Sequence, residues 1–92
     1  MKVVVRQKAA QQVGSIYEYI AERSPRAARE IVDRIYASVE RVASPEFAYL
    51  GRPGSRPGTR ELVEPPYVIV YRVDGRRDEI VFLSVVHGAR RR

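Results

Sequence analysis

The sequence predicts an α+β domain in which a helical hairpin packs on one face of a mainly antiparallel four-stranded sheet, in the order β-α-α-β-β-β. Two consecutive stretches with apolar residues at spacings of three and four predict the helices. Four segments rich in β-branched and aromatic residues predict the strands. With 92 residues, the chain is long enough for one domain, covering residues 1–92, and too short for two.

The first strand is predicted at residues 2–6, which contain three consecutive valines between charged residues. A helix follows, and its apolar residues share one face: Ala9, Val13, Ile16, Tyr17 and Ile20. Gly14 interrupts this helix, where glycine costs roughly 1 kcal/mol relative to alanine. We therefore expect Gly14 to lie close to another part of the backbone.

The second helix is predicted to begin at Ser24 and Pro25, because serine can cap a helix and proline suits its first position. Its apolar residues recur through residue 43: Ala28, Ile31, Val32, Ile35, Val39 and Val42. The gap between the two apolar stripes is short. The two helices are therefore expected to form an antiparallel hairpin.

Residues 44–58 contain three prolines and three glycines, which predict an exposed, irregular loop. We expect Phe47, Tyr49 and Leu50 to attach the first part of this loop to the core. Strands are then predicted at residues 59–63, 67–73 and 79–87. Two prolines separate the first two of these strands, and a polar turn containing a glycine joins the last two as a hairpin.

Side chains alternate between the two faces of the strand at residues 67–73. We assign one set to the helix-packed core: Tyr67, Ile69, Tyr71 and Val73. The other set is Val68, Val70 and Arg72. Further arginines are expected near this second face and would give it a basic rim: Arg60, Arg90, Arg91 and Arg92. A solvated sheet face predicts the same pattern. Arg60 and Arg72 can equally be ion-pair partners of three acidic residues: Glu61, Glu64 and Asp74.

Composition limits the classes of function. A formal net charge of +6 favours a polyanion or an acidic protein as a partner, although it also serves solubility alone. The absence of cysteine excludes disulfides and thiolate metal sites, and a single histidine is no ligand set, so we predict no metal and no cofactor. No signal peptide or membrane-length apolar run is present, which favours a cytoplasmic protein without membrane association. The sequence has no recognition-helix signature, so we predict no sequence-specific nucleic-acid binding.

Four segments carry a resemblance to a known family: YIAERSPRAAREIVDRI, GRPGSRPGTREL, YVIVYRV and VVHGARRR. In this order and at this chain length, they resemble the RelE/ParE superfamily of bacterial toxins, and most closely its ParE branch. The resemblance covers nearly the whole chain. The start of the first helix, RQKAAQQVGSI, departs from the family pattern because it lacks the usual proline and acidic residues.

RelE-like members are ribosome-dependent mRNA endonucleases that use lysines and arginines on the sheet face, often with a C-terminal tyrosine or histidine. This chain has Val68 where those enzymes carry arginine, and Thr59 and Glu61 where they carry lysines. Valine can neither donate a proton nor neutralise phosphate, and a glutamate would repel it. The nuclease set is therefore largely missing, and we predict a protein that is not an enzyme.

The ParE branch implies a toxin that binds DNA gyrase and traps it in its cleaved-DNA state. A ParD-like antitoxin with a ribbon-helix-helix N-terminus and a flexible C-terminal segment would neutralise it. The expected target-binding residues are Arg60, Arg72, His87, Arg90, Arg91 and Arg92. The expected antitoxin-binding residues lie on the helical hairpin: Val13, Tyr17, Ile20, Ile35, Tyr36 and Val39.

Two alternatives remain open at the level of sequence. The first is a RelE-type nuclease with a degenerate catalytic site: Arg60, Arg72, His87 and Arg90. The second is a non-toxic module that binds its antitoxin and acts as a co-repressor at a shared promoter.

Overall fold

Two helices pack on one face of a five-stranded sheet in the computed structural model, which describes residues 1–90. The elements are β1 (Lys2–Val5), α1 (Gln7–Ala21), α2 (Pro25–Arg41), β2 (Arg52–Pro53), β3 (Arg60–Glu64), β4 (Tyr67–Asp74) and β5 (Glu79–His87). The strand order across the sheet is β1-β5-β4-β3-β2. β1 is parallel to β5, and every other pairing is antiparallel. The predicted α+β class is confirmed.

The predicted number of strands is wrong, because the structure adds β2 at one edge of the sheet. β2 consists of two residues, which pair with Glu61 and Arg60 of β3. It lies inside the segment predicted to be an irregular loop. So short a strand has no alternating pattern to detect, and proline is tolerated at a sheet edge because one side needs no ladder hydrogen bond.

The core forms where the apolar stripes of both helices meet one face of β4 and β5. The buried residues of this cluster include Ala9, Val13, Ile35, Val39, Val42, Tyr67, Ile69, Tyr71, Ile80, Phe82 and Val85. The predicted core face of β4 is confirmed for Tyr67, Ile69 and Tyr71, while Val73 is only partly buried against the same cluster. Neither α1 nor α2, the two α-helices within residues 1–90, is long and apolar enough to cross a membrane.

The start of α2 is confirmed. Pro25 is its first residue, and the hydroxyl oxygen of Ser24 accepts a hydrogen bond from the backbone N–H of Ala27 at 3.1 Å. This bond satisfies one of the backbone donors that the first turn of a helix leaves without an intrahelical partner. The cap therefore fixes where the hairpin turns.

Gly14 does not lie close to another backbone, so that expectation is wrong. It is exposed on α1, and a Cβ added there would meet nothing within 4 Å. We expect Gly14→Ala to raise the free energy of unfolding by about 0.5–1 kcal/mol, because alanine loses less backbone entropy in a helix. Urea denaturation measures the change. The exposed Ala10, also on α1, supplies the reverse control, since Ala10→Gly should lower stability by a similar amount. Equal stability of all three proteins would contradict the prediction.

The loop after α2 is attached to the core by its small residues. Ala48 is buried, and the Tyr71 hydroxyl donates a hydrogen bond to its carbonyl at 2.8 Å. The same hydroxyl accepts a bond from the Gly51 N–H at 3.0 Å. A Cβ on Gly51 would lie 2.6 Å from the Glu61 carbonyl oxygen and 2.9 Å from the Tyr71 ring, so only glycine fits this approach.

The larger apolar residues of this loop do not attach it to the core, contrary to expectation. Phe47 is 43% exposed, Tyr49 is 64% exposed and Leu50 is 45% exposed. The space beside the Tyr71 hydroxyl is taken up by the loop backbone itself, so there is no room for a large side chain.

Candidate functional site

Arg60 and Arg72 lie on opposite faces of the sheet, which corrects the expectation that they form one basic rim. Arg60 pairs in register with Tyr71, and directly paired residues of antiparallel strands share a face. Tyr71 faces the helices, so Arg60 lies on that side. Arg72 pairs with Val81 on the open face.

The side chain of Arg60 is hydrogen-bonded to the loop before β2. Its Nε donates a hydrogen bond to the Gly51 carbonyl at 2.8 Å, and its Nη2 donates one to the Tyr49 carbonyl at 3.2 Å. The guanidinium carbon also lies 5.3 Å from the centroid of the Tyr49 ring. The partners of Arg60 are thus carbonyls and a ring, and its predicted alternative role as an ion-pair partner is wrong.

Arg72 forms an ion pair with Asp74, with 3.6 Å between Nη1 and Oδ2. This outcome confirms the structural alternative for Arg72. Glu64 is engaged elsewhere, because it lies 3.6 Å from Arg34 and accepts a hydrogen bond from the Ser38 hydroxyl at 2.8 Å. Partly exposed pairs of this kind contribute little to stability.

His87 lies at the opposite end of β4 and β5 from these arginines. It pairs in register with Tyr67, and the two rings meet edge to face with centroids 5.7 Å apart. Its Nδ1 accepts a hydrogen bond from the Ala89 N–H at 3.1 Å. Tyr67 and Tyr71 are about 13 Å apart along the strand, at about 3.3 Å per residue. The structure therefore does not bring Arg60, Arg72 and His87 into one cluster.

The remaining predicted target-binding residues are the three C-terminal arginines. Arg91 and Arg92 lie outside the described residues, as does the side chain of Arg90.

A groove of about 1100 Å³ runs between α1 and the ends of β4 and β5; we call it the α1–β5 groove. Its walls include Lys8, Ser15, Ile16 and Tyr19 of α1 together with Tyr67, Val85 and His87 of the strands. The groove thus combines apolar walls with the cation of Lys8, a lining that suits a peptide with apolar and acidic side chains.

The α1–β5 groove also contains an open strand edge. β1 pairs with β5 only as far as Phe82, so residues 83–87 have no strand partner on that side within residues 1–90. The backbone N–H of Val85 donates instead to the side-chain carbonyl of Gln12 at 2.9 Å. An extended peptide can bind such an edge by replacing a side-chain acceptor with its own backbone.

Three of the six predicted antitoxin-binding residues belong to the core, which corrects that list. Val13 is 5% exposed, and Ile35 and Val39 are completely buried. Tyr17 is exposed at the surface of α1. The apolar stripe predicted these residues correctly as one face of each helix, but that face is covered by the sheet.

The other two predicted antitoxin-binding residues are intermediate in solvent exposure. Ile20 and Tyr36 are partly buried, and the Tyr36 ring packs edge to face on Phe82 with centroids 6.1 Å apart. The sequence reasoning missed Gln12 and Tyr19, which border the apolar stripe of α1. Tyr19 is 77% exposed, and a large aromatic residue beside an apolar stripe was the available signal.

The positions that match the RelE nuclease residues present no cation in the structure. Val68 is 5% exposed. Glu61 is 4% exposed, and its carboxylate accepts a hydrogen bond from Arg52 Nε at 3.3 Å. The Thr59 hydroxyl donates to the Arg56 carbonyl at 2.7 Å. Among residues 1–90, no three His, Cys, Asp or Glu side chains converge into a metal-binding group.

Solved toxin–antitoxin structures share this fold. The chromosomal ParDE system of P. aeruginosa contains a chain that is 30% identical, with a TM-score of 0.80 and 95% of each chain covered. The RelBE2 complex of Mycobacterium tuberculosis gives 22% identity and a TM-score of 0.62, over 94% of this chain and 95% of that one. The E. coli RelBE complex gives 12% identity and a TM-score of 0.58, over 92% of this chain and 97% of that one.

The likeness to the ParDE chain assigns the protein to the RelE/ParE superfamily as its class. The two structures below 25% identity show the shared fold alone. A search of curated protein sequences gives no match. The family model for the ParE toxin of the type II toxin–antitoxin system parDE matches residues 3–92. The chain therefore belongs to the ParE family of type II toxins.

Proposed function

We propose that the protein poisons DNA gyrase by trapping its cleaved-DNA complex, without catalysing a reaction itself. The observation that carries this proposal is the loss of nuclease chemistry in a chain of the ParE family. Glu61 stands where RelE-type enzymes carry a lysine, and it is buried and ion-paired with Arg52. A buried carboxylate at this position repels phosphate. A small side-chain movement cannot put a cation in its place.

Three of the four residues left for a degenerate nuclease site do not converge. Arg60 is bound to loop carbonyls on the helix side, Arg72 is ion-paired on the open face, and His87 lies at the far end of the strands. Phosphodiester cleavage through a 2′-hydroxyl needs a base, an acid and cations within a few ångströms of one phosphate. This separation favours the non-catalytic function over the nuclease.

We further propose that a ParD-like antitoxin neutralises the protein by laying a flexible segment along the α1–β5 groove. An extended segment there gains backbone hydrogen bonds at residues 83–87 of β5, and its apolar side chains contact Ile16, Tyr19 and Tyr67. Acidic groups of the segment would meet Lys8 and a chain of net charge +6. A segment that orders on binding can cover such a surface while it stays flexible in the free antitoxin.

Purified protein tests the proposal in two parallel reactions. The first scores loss of plasmid supercoiling by gyrase together with gain of linear, cleaved plasmid. The second scores cleavage of mRNA bound to ribosomes. We expect cleaved plasmid and intact mRNA. Intact plasmid with cut mRNA would replace the proposal with the RelE-type function, and normal growth on induced expression without antitoxin would favour the co-repressor.

The basic C-terminus gives a prediction that depends on the target. Replacing Arg90, Arg91 and Arg92 with serine is expected to raise the protein concentration for half-maximal plasmid cleavage by about tenfold or more, because three charges near the proposed contact are lost. The matched control removes the same charge from the exposed arginines around the start of α2: Arg23, Arg26 and Arg29. The assay is the same titration of plasmid cleavage. Equal effects of the two triple variants would show that net charge alone matters.

A further inference from the structure

One end of the sheet carries four further arginines besides Arg60 and Arg72, which were predicted above to bind the target. Residues 52–60 and 72–79 together contain six arginines and three acidic residues. Because Arg60 pairs with Tyr71, the loop before β3 and the turn after β4 emerge at the same end of the sheet. We call this region the basic end.

Three arginines of the basic end are available to a ligand. Arg56, Arg76 and Arg77 are exposed, and none of them forms an ion pair with another residue in the described part of the chain. Arg52 and Arg72, in contrast, are each ion-paired. An exposed guanidinium without a carboxylate partner retains all of its donors for bidentate contact with a phosphate.

An aromatic ring, that of Tyr49, is held against Arg60 at the basic end. Tyr49 is 64% exposed, although Ala48 and Gly51 near it in the loop are both hydrogen-bonded to the Tyr71 hydroxyl. Arg60 lies 5.3 Å from the ring centroid and donates a hydrogen bond to the Tyr49 carbonyl. The contact orders the ring before any ligand arrives, which lowers the entropy cost of stacking on it.

The Tyr49 ring borders a shallow cleft of about 310 Å³. Its lining is Tyr49, Pro53, Gly58, Thr59, Arg60 and Val73. This volume lies at the lower limit for small-molecule sites and suits one planar group rather than a larger ligand. A nucleobase has the required size and flatness, and every base has a π-face that stacks on an aromatic ring.

We propose that the basic end binds single-stranded nucleic acid without sequence preference. One base stacks on Tyr49 in the cleft, and the phosphates on either side contact Arg56, Arg76 and Arg77. An acidic peptide satisfies the arginines but leaves the aromatic cleft unused, so the combination of the two favours nucleic acid. The inference goes beyond the proposed function, because the ligand is the nucleic acid itself and no gyrase is required.

Fluorescence anisotropy with a labelled oligonucleotide of mixed sequence tests the inference on the purified protein. Matched probes are single-stranded DNA, single-stranded RNA of the same sequence and the DNA duplex. We expect the DNA or RNA single strand, or both, to bind more tightly than the duplex. The logarithm of the binding constant should fall with the logarithm of salt concentration with a slope of about −2, since three phosphates contribute roughly −0.7 each.

Tyr49→Ala is expected to weaken single-strand binding by about 5- to 100-fold, the range for losing one base stack. Arg60 donates its hydrogen bond to the backbone carbonyl of Tyr49, so the substitution keeps that bond and removes only the ring. Tyr19→Ala is the matched control, because Tyr19 is a tyrosine of α1 that is 77% exposed and lies outside the cleft, so its loss should leave oligonucleotide binding unchanged. Replacing Arg56, Arg76 and Arg77 with glutamine should flatten the salt dependence.

Three results would overturn the inference. Neither single strand binds at low salt, the duplex binds more tightly than the single strands, or the two tyrosine substitutions weaken oligonucleotide binding equally. Displacement of the oligonucleotide by polyglutamate of equal charge at equal concentration would assign the surface to an acidic protein instead. Because these titrations contain no gyrase, a negative result would leave plasmid cleavage by gyrase as an independent question.

Discussion

Replacing Tyr71 with phenylalanine is expected to lower the free energy of unfolding by about 2–6 kcal/mol. Tyr71 is completely buried, and its hydroxyl joins the Ala48 carbonyl and the Gly51 N–H. Phenylalanine fills the same space but leaves both backbone groups buried without a partner, at a cost of about 1–3 kcal/mol for each. The loss is a large part of the roughly 5–15 kcal/mol that stabilises a small domain.

Two measurements check this expectation. Urea denaturation gives the loss of stability, and limited chymotrypsin digestion should show faster cleavage after Phe47, Tyr49 and Leu50, because the loop loses its attachment to the core. Tyr67→Phe is the control, since Tyr67 is also buried but its hydroxyl bonds to no other described residue. A loss below about 0.5 kcal/mol, the scale of neutral surface changes, would show that water replaces the missing hydroxyl.

Ile35→Ala is expected to lower the free energy of unfolding by about 2–5 kcal/mol, although sequence reasoning assigned Ile35 to antitoxin binding. Ile35 is completely buried between α2 and the sheet, and removing three of its carbons leaves a cavity that the surrounding core cannot fill. Tyr17→Ala is the contrasting variant, because Tyr17 is exposed on α1. A surface substitution of this kind changes stability by about 0.5 kcal/mol or less.

Thermal unfolding of the free toxin and calorimetric titration with its antitoxin separate the two cases. Ile35→Ala should melt at a lower temperature and, where folded, bind the antitoxin normally. Tyr17→Ala should melt near the wild-type temperature and bind more weakly if α1 contacts the antitoxin. An Ile35→Ala protein that is as stable as the wild type but cannot bind would mean that Ile35 reaches the partner after all.

The sequence was sufficient to predict the elements that depend on local patterns. The cap at Ser24, the two amphipathic helices and the strand at residues 79–87 agree with the structure because each carries its own periodicity or capping residue. The two-residue strand β2 has no such pattern, since it exists only through its pairing with β3. Strand number was therefore beyond local reasoning.

The candidate site was predicted less well, because local patterns reveal neither how deeply a helix face is buried nor how two strands pair. A helical stripe identifies one face, but it does not say whether that face meets the sheet or a partner, and Val39 proved to be core. Strand alternation places residues within one strand, whereas the relation of Arg60 to Arg72 depends on the pairing of β3 with β4. The exposure of Tyr49 follows from the close contact of the neighbouring loop backbone with Tyr71, which no local pattern predicts.

The position of β5 between β1 and β4 has a consequence for synthesis of the toxin. β1 is made first, yet its only strand partner within residues 1–90 is residues 79–82 of β5. Such distant pairings raise the contact order and delay folding until both strands have left the ribosome. A chain interrupted before β5 would lack the strand that joins β1 to β4 and supports α1. Stalled or abandoned translation should therefore release no active fragment, and toxicity should appear only once the last strand has been synthesised.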